Sequence, residues 1–232
     1  MDEYAKRRIM MDGYSIETLD VQGFDAPVPN EHWTIGSDTL LILLPGLGYT
    51  NQMPLMFYLH ELAINRGFDV LQVNYDYRRV PRETSAEEWA ARMLGDVRPV
   101  IDAALARGTY RNVVLAGKSI GTRVMTTLLA RGFEGATAFI WLTPLLVSGQ
   151  IRDTVMNHAP SVAVFGDEDY AVKDVDLATM AQAGVNMVVM PGGDHSMMIQ
   201  GDVPQSIAAL AHVMNDIDAW LDRHVLTTGD SE

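Results

Sequence analysis

Cysteine is absent from this 232-residue chain, which excludes disulfides, thiolate chemistry and cysteine-held zinc. Long apolar runs are missing as well. The longest, TLLILLPG, is far too short to cross a bilayer. The opening MDEYAKRRIM carries no long apolar run after its basic residues. A soluble, cytoplasmic protein without a membrane partner is expected. Positive charge is scarce, with 17 Lys and Arg against 30 Asp and Glu, a formal net charge of −13. That balance disfavours nucleic acid as a partner and gives a self-repelling surface. Repeats, low-complexity tracts and Pro/Ser-rich linkers are also lacking. At 48% hydrophobic residues the length suits one core, so a single domain over residues 1–232 is expected.

What the chain does have is a regular alternation of short apolar runs and amphipathic stretches. The runs lie at 39–45, 68–75, 112–117, 136–143, 161–166 and 185–191. Each is apolar on successive rather than alternate residues, the pattern of a parallel strand covered on both faces. Between them helices are predicted at 52–66, from Ser85 to Gly108, and at 120–131, 174–183 and 203–222. Ser85 followed by Ala86-Glu87-Glu88 is a capping-box signature, and Trp89, Met93, Val97, Ile101 and Leu105 then recur every four residues, with Pro99 predicted to kink the helix. The segments before residue 36 read as extended, antiparallel edge strands. The alternation predicts a three-layer α/β fold with right-handed crossovers and a mostly parallel central sheet.

In such sheets chemistry gathers at the carboxyl ends of the strands, where helix N-termini present free N–H groups. The segment NVVLAGKSIGTRVMTTLLARG, residues 112–132, runs from a strand into a helix through Gly117-Lys118-Ser119-Ile120-Gly121. This is the context a GxSxG nucleophile elbow requires. A serine on so tight a bend projects its hydroxyl out of the sheet, and glycines two residues either side avoid collision. The bland alternative is an ordinary tight turn.

A serine hydroxyl is a weak nucleophile without a base. Two later strands end at the same sheet edge, one in Gly166-Asp167-Glu168-Asp169-Tyr170 and the other in Pro191-Gly192-Gly193-Asp194-His195-Ser196. His32, His60 and His158 precede that acidic segment, and His212 and His224 lie on or beyond the last helix. His195 alone stands in a glycine-rich loop after a strand, although a structural loop-capping role is the alternative for it in isolation.

Through LLPGLGY, GKSIG, GDEDYAV and GGDHS, which together span residues 40–200, the sequence resembles the α/β-hydrolase superfamily. The short connection after Thr143 makes the resemblance one to small members with little or no cap, such as dienelactone-hydrolase-like proteins and carboxylesterases. Dienelactone hydrolase itself uses a cysteine, so that activity is not implied. The resemblance implies a Ser-acid-His set acting on esters through an acyl-enzyme, with thioesters and amides as related substrates and no cofactor. It also implies that Asp169 is the acid, because Gly166, Asp169 and Val172 match Gly-x-x-Asp-x-x-Val; Asp167 and Glu168 are the alternatives. The implied oxyanion donors are the N–H groups of Ile120 and, in the Pro45-Gly46-Leu47-Gly48-Tyr49 loop, Leu47, with Gly48 as the alternative. Pro45 stands where the family usually has His.

Lys118 and Arg123 read as surface charges at the helix start, with Lys118 close enough to the site to meet a carboxylate-bearing substrate. Tyr49, Tyr75 and Tyr77 either line a pocket or pack. The 14 methionines read as core filler, His60 reads as packing or surface, and no His/Asp/Glu group has metal-ligand spacing. A second reading is a non-catalytic binding or scaffold protein on the same fold. A third keeps the triad for perhydrolysis or acyl transfer.

Overall fold

The unbroken apolar run from Leu40 to Leu44 follows from a strand with a core on each side. In the computed structural model, which describes residues 13–81 and 83–226, Leu40, Ile42 and Leu44 enter one apolar cluster and Leu41 and Leu43 the other. The same division holds along the next strand in the sheet, with Val113 and Leu115 on one face and Val114 and Ala116 on the other. Successive side chains of a strand point to opposite faces, so a sheet covered twice needs apolar residues at every position.

Eight strands form the sheet: β1 (Ser15–Glu17), β2 (Asn30–Thr34), β3 (Thr39–Leu44), β4 (Asp69–Val73), β5 (Asn112–Lys118), β6 (Ala138–Leu142), β7 (Ser161–Gly166) and β8 (Asn186–Met190). Their order is β1-β2-β4-β3-β5-β6-β7-β8. The pairs β1–β2 and β2–β4 are antiparallel and all others parallel. The extended segments expected before residue 36 are β1 and β2; residues 1–12 of that expectation lie outside the described residues.

Helices α1 (Pro54–Asn65) and α6 (Val203–Leu221) cover one face, contributing Leu55, Leu59, Ile217 and Trp220 to its core. Arg66 clasps them together, its guanidinium reaching Asp218 at 2.5 Å and Asp222 at 2.7 Å. The other face is covered by α2 (Ala86–Leu105), α3 (Ile120–Ala130), α4 (Gly149–Asn157) and α5 (Leu177–Gln182). Ser85 caps α2, accepting the Glu88 N–H at 3.1 Å, and the helix runs through Pro99 as one element. Helix α5 is shorter than the 174–183 expected. Helix α4, short and of low mean hydropathy, is a helix beyond those the sequence pattern predicts. It is the only helix between β6 and β7, so that connection adds no cap domain.

At the amino end of the sheet, Asp69 is 2% exposed, yet its Oδ1 accepts three main-chain N–H groups, from Ile35 (2.8 Å), Gly36 (3.2 Å) and Ser37 (3.1 Å), and its Oδ2 accepts the Tyr110 hydroxyl at 2.9 Å. A buried carboxylate is tolerated because its acceptor capacity is filled. Asp69→Asn keeps the shape but removes the charge that strengthens these bonds. It should destabilise the fold by about 2 kcal/mol, measured as a shift in the urea midpoint, while leaving the site at the opposite end of the strands intact.

Candidate active site

Ser119 joins β5 to α3 with φ 52° and ψ −111°, a backbone region that costs a non-glycine residue energy and persists only where the surroundings enforce it. The enforcement is visible. Its N–H donates to Leu142 O at 2.9 Å, and its carbonyl accepts the Thr122 N–H at 2.9 Å and the Thr122 hydroxyl at 2.6 Å. The flanking glycines are sterically required: a Cβ on Gly121 would stand 2.1 Å from Leu44 O, and one on Gly117 would stand 2.7 Å from the Gly121 carbonyl oxygen. The elbow is therefore wedged against the end of β3.

His195 comes from the loop after β8, and that loop is held by Asp194. Its Oδ1 accepts the N–H groups of Ser196 (2.8 Å) and Met198 (3.1 Å), and its own N–H donates to Met198 O at 2.9 Å. The imidazole lies with Nε2 2.9 Å from Ser119 Oγ and Nδ1 2.9 Å from both carboxylate oxygens of Asp169. Asp169 is 1% exposed and takes a further hydrogen bond from the Ala171 N–H at 2.8 Å. Asp167 and Glu168 are exposed, and Asp167 instead accepts the Gly192 N–H at 2.6 Å. Serine, imidazole and carboxylate thus form a continuous hydrogen-bonded row across positions 119, 195 and 169. Tyr170 places its ring 4.7 Å from the imidazole and is itself exposed.

The loop after β3 lies against the elbow, since a Cβ on Gly46 would meet Lys118 O at 3.4 Å. Mutual hydrogen bonds between Gly46 and Tyr49 close it, at 2.9 and 3.3 Å, and take up neither the Leu47 nor the Gly48 N–H. The Tyr75 hydroxyl donates to Pro45 O at 2.7 Å and the Tyr49 hydroxyl accepts the Leu55 N–H at 3.0 Å, so both tyrosines anchor the loop. Tyr75 and Tyr77 are buried and stacked at 4.5 Å; Tyr77 packs, whereas Tyr75 also lines a cavity beside the loop. The lining of this cavity, of about 220 Å³, includes Gly46, Gly48, Asn74, Tyr75, Asp76 and Arg78. In that lining the Arg78 guanidinium pairs with Asp76, holding that carboxyl down at about 2.

Lys118 corrects the sequence reading. It is not a surface charge but 2% exposed, with Nζ 3.0 Å from Thr143 Oγ1, 2.9 Å from the His195 carbonyl oxygen and 4.4 Å from the centre of the Tyr49 ring. The strand alternation held the signal, because Lys118 continues the Val114–Ala116 row into the core beneath α1 and α6. Arg123 is also less exposed than expected and lies over Trp89 at 5.7 Å. His60 is a packing residue, edge-on to Trp33 at 4.9 Å with Nδ1 3.1 Å from Gln72 Nε2.

A family model described as "Alpha/beta hydrolase domain" matches residues 37–222. The chain belongs to the α/β-hydrolase domain family. No curated protein matches significantly. Among solved structures, this α/β-hydrolase domain is similar to an esterase from Pyrococcus furiosus, with TM-score 0.69, 12% identity, and 97% of this chain and 95% of that chain covered. It is similar also to a protein of unknown function from Agrobacterium tumefaciens (TM-score 0.68, 18% identity, 94% and 99% covered). A third likeness is to an α/β serine hydrolase without lid from Xanthomonas campestris (TM-score 0.65, 17% identity, 95% and 97% covered). At these identities the likeness is one of fold, shared by α/β-hydrolase domains over nearly their whole length.

Proposed function

We propose that this α/β-hydrolase domain is a cytoplasmic serine hydrolase that cleaves small-molecule carboxylic esters, with thioesters and amides as related substrates. The single observation that carries the reading is the imidazole of His195, within 2.9 Å of Ser119 Oγ on one side and of Asp169 on the other. In this role Ser119 Oγ attacks the acyl carbon while its proton passes to His195 Nε2. Asp169 holds the Nδ1–H tautomer and stabilises the imidazolium. The tetrahedral oxyanion would be met by the N–H of Ile120, free of an intrahelical acceptor in the first turn of α3, and by that of Leu47. Each donor supplies about 3 kcal/mol of transition-state stabilisation. Collapse expels the alcohol, which takes the proton from His195. Water then attacks the acyl-serine with His195 as base, releasing the acid and restoring the serine hydroxyl. The route needs no cofactor.

A fluorophosphonate tests this directly, because only an activated serine is phosphonylated at a useful rate. Intact mass should show one adduct, peptide mapping should place it on Ser119, and Ser119→Ala should remain unmodified. A wild-type protein that gains no adduct would instead favour a binding protein on the hydrolase fold.

A further inference from the structure

An ammonium group beneath a proposed active site is an expensive thing to bury, and Lys118 is one of the largest fully enclosed side chains in the molecule. Its three N–H donors have three destinations. One reaches Thr143 Oγ1, a second the main-chain oxygen of His195, and the remaining face of the ammonium looks onto the Tyr49 ring. These partners belong to three separate segments: the end of β6, the loop after β8 and the loop after β3. Thr143 itself is held at φ 41°, a strained conformation for a β-branched residue. Lys118 is joined directly to Ser119 in the chain. One cation thus ties together the serine, the main chain that carries the imidazole and the loop that carries Leu47.

We propose that Lys118 is a positioning residue, whose buried ammonium fixes the His195 main chain and the Tyr49 loop to the serine elbow and so sets the distance between Ser119 and His195. The proposal rests on the serine-hydrolase reading. It also makes the alignment depend on the lysine's charge. The neutral amine keeps at most two N–H donors and loses its attraction to the Tyr49 ring. The ionisable groups around Nζ are Asp169 from the loop after β7, Asp194 and His195 from the loop after β8, and Tyr49 from the loop after β3. Burial lowers the Lys118 ammonium from its usual range to about 8, while the charges of Asp169 and Asp194 pull in the opposite direction. The ammonium is accordingly intact at neutral pH and is lost as pH rises through about 8, so the tie weakens on the alkaline side.

The test is the rate of Ser119 labelling by a fluorophosphonate, followed against pH for the full chain. Wild type should label fastest near neutrality and more slowly above about pH 8. Lys118→Met keeps the apolar stem and removes every donor. It should label about 10- to 100-fold more slowly, with no further descent near pH 8, because a displacement of the reacting groups by about 1 Å costs rate on that scale. Far-UV circular dichroism and the cooperativity of melting establish that the variant is folded. If it is not, Thr143→Val decides, since it deletes one acceptor and keeps the lysine; its alkaline descent should begin at lower pH. A folded Lys118→Met with the wild-type rate, or with the alkaline descent retained, overturns the proposal. So does a Thr143→Val profile that superimposes on wild type. Wild-type protein that is never labelled overturns the underlying reading and this proposal together, whereas labelled wild type beside an unaffected Lys118→Met removes this proposal alone.

Discussion

Ser119→Ala should abolish ester turnover, lowering kcat for p-nitrophenyl acetate by about 10⁴- to 10⁶-fold while the protein melts at close to the wild-type temperature. The size of the loss follows from the division of labour in the site. In the proposed mechanism no acyl-enzyme forms without the hydroxyl, and what would remain is the stabilisation offered to a slow attack by water through the proposed oxyanion donors, the N–H groups of Ile120 and Leu47. Stability should hardly change because the Ser119 backbone, not its side chain, makes the contacts with Leu142 and Thr122 that hold the bend. Alanine at φ 52° carries the same strain as serine. His195→Ala should cost nearly as much as the serine, and the double variant little more than either, because in the proposed mechanism the two act as a unit. Asp169→Asn should lower kcat by about 10⁴-fold, since an amide donating to Nδ1 would favour the wrong tautomer. Equal rates for wild type and Ser119→Ala would reject the serine as nucleophile.

Gly166→Ala should prevent the molecule from folding, or destabilise it by more than about 4 kcal/mol in urea unfolding. A Cβ built on Gly166 stands 1.8 Å from the Gly193 carbonyl oxygen and 2.2 Å from its carbon. These are main-chain atoms that no side-chain rotation can clear, so overpacking here has no inexpensive relaxation. The contact is also what brings the two halves of the site together. Gly166 ends β7 three residues before Asp169, and Gly193 lies two residues before His195. Any separation of these strands opens the Asp169–His195 pair as it relieves the clash, so residual folded protein should lose labelling by the fluorophosphonate in step with its stability. Gly149→Ala is the control. Its added carbon meets nothing nearer than 3.6 Å in the first turn of α4. That change should fall within about 1 kcal/mol of wild type. Comparable urea midpoints for the two variants would show that the approach of β7 to the His195 loop is not fixed by the glycine.

Much of this molecule is legible locally. The five-residue apolar stretch of β3 and the matching stretches of β5, β6 and β7 announce strands with a core on either side, and the Ser85 cap and four-residue repeat announce α2. Helix α4 is not legible in the sequence because its alternation of polar and apolar residues is too short to display a helical period, and only Ile151 and Val155 are buried on it. The burial of Lys118 is hidden from the sequence for another reason. A charge beside a glycine turn looks solvated until its three partners, distant in sequence, are seen to close around it.

The sequence by itself determined the layers, the bend at Ser119 and the order in which serine, acid and histidine occur, because strand burial, helix capping and glycine spacing are properties of neighbouring residues. Tertiary structure decided that Tyr77 packs while Tyr75 also lines the loop cavity, and that Lys118 points inward. It also brought Asp169, the acid the family pattern singles out, onto the imidazole and left Asp167 and Glu168 exposed. Those outcomes depend on how loops from separate strands meet at one sheet edge, where burial and hydrogen-bond satisfaction are settled by residues tens of positions apart.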